Sequence, residues 1–115
     1  MRRGEIYLAN FGKKYNREFG KIRPVLIIQN DVANRNIEKV AFKGVTVIPM
    51  TTILSGGDLR VLLLAREKLE KDSEICINEL CTLDMSRLVL EKRLTVLTHD
   101  ELNDVSMKLK QHLSV

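Results

Sequence analysis

The spacing of apolar and polar residues predicts a chain made mostly of short β-strands. Alternation near the N-terminus predicts a first strand over about residues 4–10. The continuous apolar run 25–28 is rich in β-branched residues and predicts a strand that is covered on both faces. Further strands are predicted at 40–48, interrupted near Gly44, at 59–64, and from 75–77 onward.

The segments between these strands have the composition of connections. Residues 30–38 are polar and rich in asparagine, which predicts a loop with one helical turn. A Ser-Gly-Gly-Asp sequence at 55–58 predicts a turn. Residues 84–87 are expected to form a single helical turn, and an extended piece is expected over 88–97.

The C-terminal segment predicts a helix that starts with a capping box. Thr98 and Glu101 have the spacing at which each side chain binds the other residue's exposed backbone N–H. An apolar stripe at helical spacing follows, formed by Leu102, Val105, Leu109 and Leu113. Short antiparallel strands followed by one helix predict a mainly β (α+β) fold, a small barrel or half-open sheet.

The bulk composition predicts one compact domain over residues 1–115. The chain is 44% hydrophobic, and it contains neither an apolar run long enough to cross a bilayer nor a signal peptide. A cytoplasmic location is therefore expected. Cys76 and Cys81 are then reduced thiols, and with both histidines far away their spacing is a poor zinc pattern, so we expect small apolar roles for them.

Positive charge is concentrated in the segment 11–23. Five cations against the single acid Glu18 give this segment a net charge of +4, which equals the net charge of the whole chain. A charge confined to one loop is typical of a docking surface for an anion, here most simply a phosphate backbone. Phe11, Tyr15 and Phe19 interleave with the cations, and they fit either base stacking or packing of the loop onto the sheet.

The two histidines do not have the arrangement of a paired-histidine ribonuclease. His99 falls in the first turn of the predicted helix and His112 near its end, too far apart to hold one phosphate. No cluster of acidic residues has the spacing of metal ligands, which argues against metal-assisted hydrolysis. Phosphodiester chemistry would then depend on arginine, hydroxyl and carboxylate groups.

Candidates of these three types lie near the two prolines of the chain. Arg23 precedes Pro24, which places a planar, bidentate phosphate ligand at a strand end. Thr51 follows Pro49, whose missing N–H is expected to end or bulge the third strand. Glu18 could accept a proton from a ribose 2′-OH. From residue type alone, a surface arginine, an ordinary β-forming threonine and a screened glutamate remain open interpretations.

Five short signatures follow one another over nearly the full chain: Arg3-Gly-Glu-Ile-Tyr, Arg23-Pro-Val-Leu-Ile-Ile-Gln-Asn-Asp, Val47-Ile-Pro-Met-Thr-Thr, Leu80-Cys-Thr-Leu-Asp and Arg87-Leu. In residue type and order they resemble those of the MazF/PemK family of bacterial toxin endoribonucleases. The Arg-Pro strand and the later Pro-x-Thr-Thr are specific as a pair, whereas either one alone would be weak.

The resemblance implies an SH3-like small barrel with appended helices that acts as a homodimer. It implies ribosome-independent, sequence-specific cleavage of single-stranded RNA, with no metal or other cofactor, to 2′,3′-cyclic phosphate and 5′-OH ends. The family's catalytic arginine falls on Arg23, its threonine on Thr51, and the glutamate that some members use on Glu18. The implied protein partner is an antitoxin with an acidic, extended tail.

The expected RNA-binding residues come from the basic loop and from two further positions. They are Lys13, Lys14, Arg17, Phe19, Lys21, Thr52 and Glu79. Family members usually have a glutamine and, two residues later, a basic residue where this chain has Glu79 and Cys81, and a His or Gly where it has Ile22. Because a carboxylate accepts from amino groups of bases and repels phosphate, we expect a different recognised RNA sequence or weaker binding.

Two alternative functions fit the same sequence. One is a CcdB-like toxin of the same fold, which poisons a topoisomerase by protein contact and has no need to bring Arg23 and Thr51 together. The other is a small barrel that binds RNA without cleaving it. Fold alone does not decide between these functions.

Overall fold

The computed structural model describes residues 1–12 and 22–115, and strands dominate this part of the chain. The strands are β1 (Glu5–Asn10), β2 (Ile22–Ile27), β3 (Gly44–Thr51), β4 (Arg60–Leu63), β5 (Ser73–Cys76), β6 (Cys81–Asp84) and β7 (Thr95–Val96). The α-helices are α1 (Asp31–Arg35) and α2 (His99–Leu113). Short 3₁₀ helices occupy Ile37–Lys39, Ile77–Glu79 and Met85–Arg87.

The strands form one antiparallel sheet that is organised around β3. The strand order is β4-β5-β3-β2-β1-β7, and β6 pairs with β3 beside β5. Strand β3 pairs with β6 over residues 44–47, with β2 over residues 47–49 and with β5 at residues 50 and 51. This curled half-barrel of short strands with a C-terminal helix confirms the predicted fold class.

Alternate residues of the central strands fill two separate cores, one on each face of the sheet. Ile6, Leu26 and Ile48 belong to the core that α2 covers through its buried Val105. The second core contains their sequence neighbours Tyr7, Val25 and Val47, together with Phe11 and Ile37. Burial on both faces confirms the prediction for the apolar run of β2 and accounts for its lack of polar alternation.

Helix α2 begins with the predicted capping box. The Thr98 hydroxyl accepts the Glu101 N–H at 3.2 Å, and the Glu101 carboxylate accepts the Thr98 N–H at 2.8 Å. Arg66 adds two hydrogen bonds of 2.8 Å to the same carboxylate, which ties the helix start to the loop after β4. Among the described residues, no helix has the length and apolarity needed to cross a membrane.

The apolar stripe of α2 is shorter than the sequence predicts. Val105 is buried, and Leu102 and Leu109 pack against the core beneath the helix. Leu113 is 48% exposed, so its predicted place in the stripe is wrong. Residues 110–115 are all exposed, because the last turn of the helix lies beyond the edge of the core.

Strand β3 differs from its prediction in both position and extent. It begins at Gly44 rather than at residue 40, and it continues through Pro49 to Thr51. The expectation that Pro49 ends or bulges the ladder is therefore wrong. Pro49 lies opposite Val25 of β2, while on the other edge β6 ends at Val47 and β5 begins at residue 50, so the proline faces a gap where no ladder N–H is needed.

Three other predictions need smaller corrections. Strand β5 ends at Cys76, because a 3₁₀ turn starts at the next residue. Strand β6 was not predicted, since its four residues are too few to show a clear alternation. The extended piece expected over 88–97 contributes only the two-residue β7. The turns predicted within 30–38 and at 84–87 are confirmed by α1 and by the 3₁₀ helix Met85–Arg87.

A buried tyrosine–glutamate pair gives the fold a testable dependence on alkaline pH. The Tyr7 hydroxyl donates to Glu5 at 3.0 Å, and Arg93 donates to the other carboxylate oxygen at 3.1 Å. Burial and the neighbouring Glu5 raise the pKa of Tyr7 from 10.0 to about 12. Burial alone would raise the pKa of Glu5, but its hydrogen bonds from Arg93, Arg2 and Tyr7 outweigh burial and lower that pKa.

We expect the free energy of unfolding to fall between pH 10 and pH 12. Because the folded pKa of Tyr7 exceeds the unfolded value, its contribution is full below pH 10 and is lost as the pH rises to about 12. The two-unit difference corresponds to about 2–3 kcal/mol. Urea unfolding of the wild type and Tyr7→Phe at pH 9 and pH 12 measures this, and an equal loss in both proteins would contradict it.

Candidate active site

Arg23 lies near the start of β2 at the sheet surface. It pairs with Ala9 of β1, and the next residue, Pro24, pairs with Leu8. The side chain is half-buried, whereas the strand residues from Val25 onward are buried. Strand β2 therefore starts at the surface and runs into the core, and Arg23 lies near its surface end.

Thr51 is the last residue of β3 and is 6% exposed. Its Oγ1 accepts the backbone N–H of Ile53 at 3.1 Å. A hydroxyl has one hydrogen to donate in addition to its acceptor lone pairs. Because the bond from Ile53 uses only an acceptor lone pair, the Thr51 hydroxyl still has a hydrogen that it can donate.

Arg23 and Thr51 lie at the same end of the β2–β3 ladder. The ladder ends where Val25 pairs with Pro49, and Arg23 and Thr51 each lie two residues beyond that pair. Residues two apart along a strand project from the same face of the sheet. The two side chains predicted to act together therefore share one face and one end of the sheet.

The buried thiol of Cys76 lies among the charged groups of this region. Burial raises its pKa to about 11, the nearby positive charges of Arg60 and Arg23 act to lower it, and the negative charges of Glu79 and Glu74 act to raise it. Arg60 also donates to the Cys76 sulfur at 2.9 Å. Glu79, predicted to contact RNA, and Arg23 are thus both close to the end of β5.

Glu74 is a buried acid at this site that the sequence analysis did not single out. It is 4% exposed and pairs with Thr51 in the β3–β5 ladder. Its two carboxylate oxygens accept the backbone N–H groups of Ser55 at 2.9 Å and Gly56 at 2.8 Å. These bonds lower the pKa of Glu74. The sequence offered little signal for it, because Glu74 directly precedes the strand predicted from residue 75 and follows the polar residues 70–73.

Comparison with known proteins identifies the family to which the chain belongs. A sequence model of the PemK-like, MazF-like toxins of type II toxin–antitoxin systems matches residues 2–113. The chain belongs to this toxin family. A curated relative, the endoribonuclease MazF of Staphylococcus saprophyticus, is 36% identical over 107 residues, which are 92% of this chain and 85% of the relative.

Solved structures of toxins share the fold. The Mycobacterium tuberculosis toxin MazF-mt6 superposes with a TM-score of 0.76 at 21% identity, covering 96% of this chain and 97% of that one. MazF from Deinococcus radiodurans gives the same TM-score and identity with 100% and 97% coverage. An endoribonuclease of a mycobacterial species, solved in complex with its cognate antitoxin, gives 0.76 at 20% identity with 100% and 96% coverage.

Thr52, a further predicted position of the toxin, lies outside the Arg23–Thr51 face. Thr52 is exposed and lines a cavity of about 230 Å³ together with Pro24 and Leu8. Thr52 and Pro24 directly follow Thr51 and Arg23 in the sequence. Successive strand residues point to opposite sides, so this cavity lies behind the sheet as seen from Arg23. The structure therefore groups Thr52 with the cavity and Glu79 with Cys76.

Most of the basic loop lies outside the described residues. Predictions for these positions stay predictions: Glu18, Lys13, Lys14, Arg17, Phe19 and Lys21. Phe11 is described and is 2% exposed in the second core, so packing, and not base stacking, is its role. Ile22 begins β2 and is 56% exposed, at the point where the loop enters the sheet.

The remaining predictions concern histidines, cysteines and metal ligands. His99 and His112 are exposed on α2 and are separated by about 20 Å of helix, so they do not form a pair. Cys76 is buried and Cys81 half-buried, which confirms their small apolar roles. Over residues 1–12 and 22–115, no three His, Cys, Asp or Glu side chains are grouped to hold a metal ion.

Proposed function

We propose that this protein is the toxin of a type II toxin–antitoxin system and acts as an endoribonuclease on single-stranded RNA such as mRNA. The observation that supports the proposal is that Arg23 and Thr51 each lie two residues beyond the Val25–Pro49 pair, at one end of the sheet. A guanidinium and a hydroxyl that share one face can bind two oxygens of one phosphate. The curated relative that is 36% identical carries the name endoribonuclease.

The proposed reaction is an internal transesterification. The ribose 2′-oxygen forms a bond to the adjacent phosphorus, the bond from phosphorus to the 5′-oxygen breaks, and a 2′,3′-cyclic phosphate and a 5′-OH end result. Arg23 stabilises the negative charge that grows on the phosphorane oxygens and supplies a proton to the leaving oxygen. Thr51 orients a non-bridging oxygen, and Glu18 accepts the 2′-OH proton.

The RNA chain is proposed to run from the basic loop towards the 3₁₀ helix after β5. Lys13, Lys14, Arg17 and Lys21 would attract the phosphates, and Phe19 would stack on a base. Glu79 would accept hydrogen bonds from a base amino group, because a carboxylate accepts and does not donate. Thr52 would contact the RNA strand on the other side of Thr51.

The proposed assembly is a cytoplasmic homodimer that a cognate antitoxin inhibits. The antitoxin would have an acidic, extended tail, since the loop 11–23 carries a net charge of +4 and attracts polyanions. One mycobacterial endoribonuclease of this fold has been solved in complex with its cognate antitoxin. The same charged surface would then bind RNA and antitoxin in competition.

The test is incubation of the purified toxin with a fluorescent single-stranded RNA and with total RNA in excess EDTA. We expect cleavage at a short sequence, with 2′,3′-cyclic phosphate and 5′-OH ends identified by end-specific ligation and sequencing. Intact RNA together with inhibited DNA supercoiling would favour the topoisomerase-poisoning alternative. A shift in RNA mobility without new ends would favour the non-catalytic one. Either result contradicts the proposed function.

A further inference from the structure

Glu74 connects the site to the β3–β4 loop, defined here as residues 52–59. The carboxylate projects from β5 beside Thr51, and it accepts the main-chain N–H groups of Ser55 and Gly56. Thr51 itself accepts the N–H of Ile53 in the same loop. The proposed catalytic hydroxyl and Glu74 therefore hold the first part of the loop, and at its other end Leu59 accepts the Ile77 N–H at 2.9 Å.

Hydrogen bonds, and not apolar burial, determine the conformation of the β3–β4 loop. All residues of the β3–β4 loop are exposed, and its apolar side chains Ile53 and Leu54 are 69% and 52% exposed, so apolar burial contributes little to its conformation. A charged acceptor strengthens hydrogen bonds to the main chain, and a buried carboxylate requires such partners. Each carboxylate oxygen of Glu74 accepts one main-chain N–H of this loop, so neither oxygen is left without a partner.

We infer that Glu74 is a positioning residue that fixes the orientation of the Thr51 hydroxyl through the β3–β4 loop. The inference rests on the proposed function. If the Ser55 and Gly56 N–H groups are released, the loop moves, the Ile53 N–H moves with it, and the Thr51 hydroxyl rotates away from the phosphate. Loss of alignment of a reacting group lowers the rate of the chemical step more than it lowers binding.

An effect of charge alone would have the opposite sign. A carboxylate near bound RNA repels phosphate, so removing its charge would tighten RNA binding. The positioning role predicts a lower kcat with KM unchanged or reduced. The separation of kcat from KM therefore distinguishes positioning from electrostatic repulsion. Because a loss of folded protein also lowers the apparent kcat at unchanged KM, each rate is divided by the fraction of folded protein measured by circular dichroism.

The first test is Glu74→Gln, assayed by steady-state cleavage of the fluorescent RNA. The amide keeps one acceptor oxygen but presents an NH₂ group where the second N–H binds, so one of the two main-chain hydrogen bonds is lost. We expect kcat to fall about tenfold while KM does not rise. Glu91→Gln, which removes an equal charge at an exposed position, is the matched control and should keep the wild-type kcat.

The second test disturbs the loop without changing Glu74. Gly56 has φ +70°, and a Cβ added there would meet no heavy atom of the described chain within 4 Å, so Gly56→Ala acts by backbone strain. We expect a lower kcat for this variant. Because both changes act through one loop, the double variant with Glu74→Gln should be less impaired than the product of the single effects.

The outcomes separate this inference from the proposed function. If the wild type cleaves RNA and Glu74→Gln has the same kcat, or only a higher KM, the positioning role is wrong and the nuclease proposal stands. Multiplicative effects in the double variant would also overturn it. If Glu74→Gln does not fold, a wild-type kcat in Gly56→Ala overturns it. A wild type that does not cleave RNA removes the proposed function, and the positioning role falls with it.

Discussion

Arg23→Ala is expected to lower kcat for RNA cleavage about a thousandfold. The guanidinium belongs to the residue that lies, like Thr51, two positions beyond the Val25–Pro49 pair, and its planar fork matches two phosphate oxygens. Losing one such donor at a developing oxyanion costs about a hundred- to a thousandfold, and the proposed proton transfer to the leaving oxygen would be lost as well. The measurement is single-turnover cleavage of a fluorescent RNA in EDTA.

Two other variants show whether the effect of Arg23→Ala is chemical. Arg23→Lys keeps the charge but loses the bidentate geometry, and we expect it to recover at most about a tenth of the activity. Arg35→Ala removes an exposed arginine at the end of α1, far from the β2–β3 register, and should leave cleavage unchanged. Circular dichroism confirms folding of each variant. Cleavage by folded Arg23→Ala at the wild-type rate would remove the arginine from the mechanism.

The sequence predicts the fold well where its patterns are long. The apolar run of β2, the capping box of α2 and the mainly β architecture follow from periodicity that extends over several residues. Strands of two or four residues, such as β7 and β6, carry too few positions for alternation to be recognised. Their pairing depends on β1 and β3, which lie far away in sequence.

The path of β3 through Pro49 shows a second reason why local sequence did not predict the full extent of a strand. A proline within a central strand normally indicates that the strand ends there, because proline has no N–H to donate to the ladder. Here the neighbours on one edge change from β6 to β5 around Pro49. This gap is a property of the assembled sheet, and local sequence carries no information about it. The same change of neighbour brings Thr51 beside Glu74.

The candidate site was only partly predictable for a related reason. Arg23 and Thr51 were identified by residue type, by adjacent prolines and by resemblance to a family, but only the β2–β3 pairing places them at the same end of the sheet. Glu74 was missed because its partners are main-chain N–H groups, which have no signature in side-chain sequence. Buried acids within apolar strand segments are therefore worth testing as anchors of nearby loops.

Thr51→Val is the second change expected to have a large effect, with kcat about a hundredfold lower. Valine keeps the β-branched shape at a position that is 6% exposed, so the strand should persist. The hydroxyl that donates to phosphate is lost, together with the acceptor of the Ile53 N–H. Thr51→Ser keeps both functions and should retain activity within a few-fold, which would assign the loss to the hydroxyl.

The matched control for this change lies on the same strand. Thr46 is half-buried near the opposite end of β3, about 17 Å from Thr51, where β3 pairs with β6. Thr46→Val makes the identical chemical change and should leave kcat unaltered, since position 46 is remote from the Arg23–Thr51 register. If Thr46→Val and Thr51→Val lose activity equally, the effect belongs to the strand as a whole. If neither loses activity, phosphate alignment must come from the basic loop, and Arg23 would act there without the threonine.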